Sequence, residues 1–63
     1  MKRRRFQYTQ PFSFTPSADQ VMDAVANQAD YVASQGFWPK AVNVTVLPTG
    51  AGWYSVRVRV EAA

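Results

Sequence analysis

The chain has 63 residues, a formal net charge of +3, and neither cysteine nor histidine. A chain this short forms one domain that buries only about 60% of its unfolded surface, so its stability is marginal. Without cysteine or histidine there is no disulfide staple, no thiolate or imidazole metal site and none of the common nucleophile–base pairs. No catalytic residues, cofactor or metal are therefore expected, and self-association is the remaining remedy for a small core.

Met1 to Arg5 resembles the charged start of a signal peptide, but Gln7, Thr9, Gln10 and Ser13 interrupt any apolar run behind it. Secretion and membrane insertion are therefore not expected, and the chain reads as a cytoplasmic protein. Residues 1–4 read as a basic arm and residues 5–63 as a single domain. From Arg4 to Phe14 the chain alternates: Phe6, Tyr8, Phe12 and Phe14 share one parity, and Arg5, Gln7, Thr9 and Ser13 the other. That is the period of a half-buried strand. Pro11 cannot donate to a ladder, which puts this strand at an edge or a bulge.

Ser17 to Gly36 has helical period. Ser17 and Gln20 have the spacing of a capping box, and Asp19 sits where the helix dipole favours a negative charge. Ala18, Val21, Met22, Val25, Ala29 and Val32 form the expected buried stripe, opposite Asp19, Asp23, Asn27, Asp30 and Ser34. Gly36 is the expected left-handed terminator, with Phe37 folding back on Val32. Pro39 then blocks continuation. Ala41 to Leu47 reads as a second strand with Val42, Val44 and Val46 inward. Pro48 to Gly52 is turn chemistry. Trp53 to Glu61 reads as a third strand, with Tyr54, Val56, Val58 and Val60 inward and Trp53, Ser55, Arg57, Arg59 and Glu61 outward.

The β-α-β-β order gives an α+β domain in which one helix packs on a three-stranded antiparallel sheet. The third strand, regular and free of proline, belongs between the first and second. A right-handed crossover carries the helix over one face. The other face is left open and arginine-rich.

Arg57 and Arg59 are two apart on one strand and share a face, as do Arg3 and Arg5 at the start of the first. The planar guanidinium fork suits carboxylate and phosphate. Trp53 lies at the edge of this face, and Trp38, ahead of Pro39, is a candidate anchor for a partner. The expected function is a non-catalytic protein-binding module, acting as an adaptor, assembly factor or inhibitor. It docks through Arg3, Arg5, Trp38, Trp53, Arg57 and Arg59 on an acidic protein surface or on another copy of itself. The alternative is nucleic-acid binding by the same face together with the arm from Lys2 to Arg5. A single-strand binder presents two or more aromatics on its open face, and Trp53 is the one clearly placed there. The acidic helix stripe reads as a solvated face that could also dock on a basic partner.

The strand–helix–strand–strand order, the length and a tryptophan late in the helix-to-strand connector are similar to dodecins, which are small flavin-binding oligomers. That resemblance is one of topology over most of the chain. It implies an oligomer and, as a third reading, a ligand-binding one.

Overall fold

Helix and strand begin and end where local chemistry dictates. A computed structural model describes residues 3–63. Its elements are β1 (Arg4–Phe12), α1 (Ala18–Ser34), β2 (Pro39–Gly50) and β3 (Trp53–Ala62). At the start of α1 the Gln20 amide donates to Ser17 Oγ at 3.2 Å, and the Ser17 amide donates to Gln20 Oε1 at 2.8 Å. Two otherwise orphaned amides are satisfied reciprocally. At the other end Gly36 takes a φ of +85°, the Gly36 amide donates to Ala33 O at 3.0 Å, and the Phe37 amide donates to Val32 O at 3.3 Å. This is the Schellman arrangement, and it turns Phe37 back into the core.

The sheet has the order β1-β3-β2, with both pairs antiparallel. β1 is an edge, so Pro11 sits opposite Ser55 without interrupting the ladder. β2 is longer than its valine pattern suggests. It runs to Gly50, and the link to β3 shrinks to Ala51 and Gly52, with φ of +54° and +79°. Positive φ at both central residues is the tight turn whose twist matches a hairpin. Alanine is a poor occupant of that conformation, because its Cβ crowds the following carbonyl. Ala51→Asn, which creates the favoured Asn-Gly pair, is expected to raise stability by roughly 0.5–1 kcal/mol. The check is the urea midpoint, and an unchanged midpoint would show that the turn stores no strain.

Val32, Val56, Val58 and Val60 are fully buried, and Phe6, Phe12, Ala24 and Ala62 complete the core. Two expectations about this core need correction. Of the expected stripe on α1, Val32 is buried and Val21 and Val25 pack on the core, but Ala18 and Met22 are exposed (Met22 62%), and the fully buried line runs through Ala24, Gln28 and Val32. Ala24, with only a methyl, is where the helix can approach the strands most closely, and Gln28, being polar, carries no hydrophobic signal. Second, Val42, Val44 and Val46 do face the helix side, because they pair with Val60, Val58 and Val56. They nevertheless remain exposed, at 44, 38 and 42%. One helix of about 10 Å diameter cannot cover three strands spaced about 4.8 Å apart together with their side chains. Here α1 sits over β3 and reaches both β1 and β2, so the outer strand β2 is only partly covered. Tyr8 and Phe14 are also more exposed than their parity implies. Tyr8 lies on the outer edge of β1 and donates to Gln10 Oε1 at 3.2 Å, and Phe14 lies past the end of β1, edge-on to Phe12.

Candidate binding face of the sheet

The pairing register fixes which residues share the face away from α1. Glu61 lies between Arg5 and Ala41, Arg59 between Gln7 and Asn43, and Arg57 between Thr9 and Thr45. Across the strands the two central arginines are thus flanked by neutral amides and hydroxyls, while along β3 Glu61 follows Arg59 on the same face and lines one depression with it. Arg59 Nε donates to Gln7 Oε1 at 3.3 Å, which holds the guanidinium against the sheet. Arg57 is half-buried, and its Nε is buried with no hydrogen-bond partner among the described residues. A buried donor left unpaired costs about 1–3 kcal/mol, a cost that the packing of the Arg57 stem against the sheet must offset.

The candidate residues do not form one patch. Arg5 Nη2 lies 3.7 Å from Glu61 Oε1, but both side chains are more than half exposed, so the pair adds little stability. Arg3 precedes β1 and, with Arg4 and Arg5, shares a shallow depression beside Glu61. Trp38 exchanges two hydrogen bonds with Ala63, at 2.9 and 3.1 Å. By the alternation of β3, Ala63 has the parity of Arg59 and Glu61, so Trp38 stands opposite it at the arginine end of the open face. Trp53 stands at the far end of β3, on the order of 30 Å away at about 3.3 Å per residue. Trp38 is 73% exposed and Trp53 46%. Lys2, the rest of the expected basic arm, lies outside the described residues.

Sequence reasoning missed Arg4 and the groove beside it. Arg4 opens β1, and its guanidinium lies 5.2 Å from the centre of the Phe6 ring and 5.5 Å from that of Phe37. It therefore covers the core instead of joining the arginine face. Its even position, shared with Phe6, is the signal that could have found it. The groove between β1 and α1 is lined by Arg4, Phe6, Tyr8, Asn27, Gln28 and Tyr31. It depends on where the helix sits across the sheet, which no local pattern encodes.

Among the described residues no group of three or more carboxylates converges as a metal site, and no helix is long and apolar enough to cross a membrane. Comparison with protein-family models, with curated proteins and with solved structures finds no match.

Proposed function

We propose that the chain is a non-catalytic binding module whose open sheet face docks on an acidic protein surface, as an adaptor, assembly factor or inhibitor does. The observation that carries this reading is the pair Arg57 and Arg59 at the middle of that face. They stand side by side, with amides and hydroxyls rather than carboxylates as lateral neighbours. Carboxylates on a partner would meet two guanidinium forks, of which Arg59 is already steadied by Gln7, so less entropy is lost there on docking. Trp38, at the Arg3–Arg5 end, supplies the aromatic body that anchors such contacts.

The test compares proteins retained by the immobilised chain with those retained by its Arg57→Glu/Arg59→Glu variant. Asp19→Lys, on the opposite side of the molecule, serves as control. The double reversal is expected to weaken the retained interaction at least about tenfold, with the control unchanged. Equal retention by all three proteins would remove this face from function.

Nucleic acid is the second reading, and the placement of Trp38 favours it. The open face then carries a tryptophan at each end, about 30 Å apart, so a strand laid along β3 would meet one stacking ring beside Arg3 and Arg5 and a second at the far end. Salt separates the two readings. Phosphate contacts release counterions, so affinity for labelled single-stranded and duplex oligonucleotides would fall steeply and linearly on a log–log plot between about 50 and 200 mM salt.

A further inference from the structure

We propose that a second copy of this chain pairs with the free edge of β2, antiparallel about a two-fold axis at Val44. The two edges of the sheet are unlike. β1 guards its edge with Arg4, Arg5 and Pro11, the devices that keep edge strands from pairing. β2 carries no charge from Ala41 to Leu47, and Val42, Val44 and Val46 stay 38–44% exposed on its helix side. Met22 extends this apolar strip onto the flank of α1. It is nine residues before Tyr31, hence about half a turn around the helix from the side that faces β1.

The backbone of β2 is also free to accept a partner. Pro48, opposite Tyr54, has no N–H to give to β3, so the nitrogen at that position lies on the outer side. By the alternation of an antiparallel ladder, the amides and carbonyls of Val42, Val44 and Val46 point outward as well. These groups have no partner among the described residues, on a stretch whose pairing with β3 is regular from Ala41 to Pro48.

Self-pairing solves three problems at once. A two-fold axis perpendicular to the sheet keeps both helices on the same side, so the two valine strips meet on one face. With Val44 opposite its own copy, Val42 lies opposite Val46 of the partner, and Ala41 lies opposite Leu47. Lys40 falls at the rim, opposite Pro48, so no like charges face each other. Cross-strand β-branched pairs of this kind stabilise a sheet. The shared groove between the helices is floored by valines and walled by Met22, which gives a core too small for one chain a second half. The seam lies at the sheet edge and leaves the arginine face uncovered, so this inference stands apart from the docking reading. Two copies would present the Arg57–Arg59 pair twice on one continuous six-stranded face.

Sedimentation equilibrium of the full chain is expected to give twice the 7.1 kDa of the monomer, and Val44→Lys is expected to return it to one. The chain has no cysteine, so Val44→Cys adds an independent reading that survives if the lysine variant misfolds. Hydrogen-bonded antiparallel partners have Cα atoms about 5.5 Å apart, inside the range a disulfide spans. Under mild oxidation Val44→Cys should cross-link nearly completely, while Thr9→Cys on β1 should remain largely monomeric. A monomeric wild-type chain would overturn the proposal. So would a dimer in which Val44→Cys cross-links no better than Thr9→Cys.

Discussion

Phe6→Ala is expected to unfold the domain at room temperature. Phe6 is 9% exposed and lies on β1 opposite Val60, under the C-terminal half of α1. Its ring meets Tyr31 edge-on at 6.1 Å and Phe37 edge-on at 5.5 Å, and the Arg4 guanidinium lies over it. One side chain thus joins β1, the helix and the cap that ends the helix. Removing a buried phenylalanine typically costs about 3–5 kcal/mol, and a domain of this size holds about 3–5 kcal/mol in total. The loss matches the whole stability. Far-ultraviolet circular dichroism and a urea titration read the result: the variant should lack a cooperative transition. A cooperative transition with a loss below about 1 kcal/mol would mean that the Phe6 site collapses around the cavity. Phe6→Leu keeps most of the volume and should retain a transition at a lower midpoint.

The fold was legible because each element carries its own punctuation. The Ser17–Gln20 box, Gly36 followed by Phe37, and the proline-free alternation of β3 are local signals, and all of them appear where local chemistry places them. The strand order followed from β3 being the regular, proline-free strand beside an edge strand marked by Pro11. The lateral position of the helix was not legible. Whether Val44 is covered depends on about 5 Å of translation across the sheet, the spacing of one strand. The sequence of β2 is the same whether α1 or a second chain covers it. The candidate face was legible by parity, which brought Arg5, Arg57 and Arg59 to one side. Lateral neighbours such as Gln7 and Asn43, which decide how Arg59 is held, require the register between strands distant in the chain.

Val44 and Val58 turn this difference into a measurement. They are directly paired across β2 and β3, point to the same side of the sheet, and are chemically identical. Val58 is fully buried and Val44 is 38% exposed. Val58→Lys places an ammonium on the central strand beneath α1, flanked by Val56 and Val60 on its own strand, with no carboxylate on that face of the sheet. The effective penalty for an unpaired buried ion is several kcal/mol, here about 4 kcal/mol, enough to abolish folding. In the monomer, Val44→Lys can lay its methylenes on the valine strip and keep its charge in water, at a cost below about 0.5 kcal/mol. The comparison belongs at low protein concentration, because any self-association adds a concentration-dependent stabilisation that Val44→Lys would also remove. The pH response supplies the sign. A buried lysine has a lowered folded-state pKa, so the unfolded chain binds more protons below the ordinary lysine value, and the stability of the Val58 variant should rise as pH approaches about 10. The Val44 variant should show no such rise. Equal destabilisation at the two positions would mean that α1 covers β2 as fully as β3, and the partly exposed valine edge on which the proposed second copy pairs would not exist.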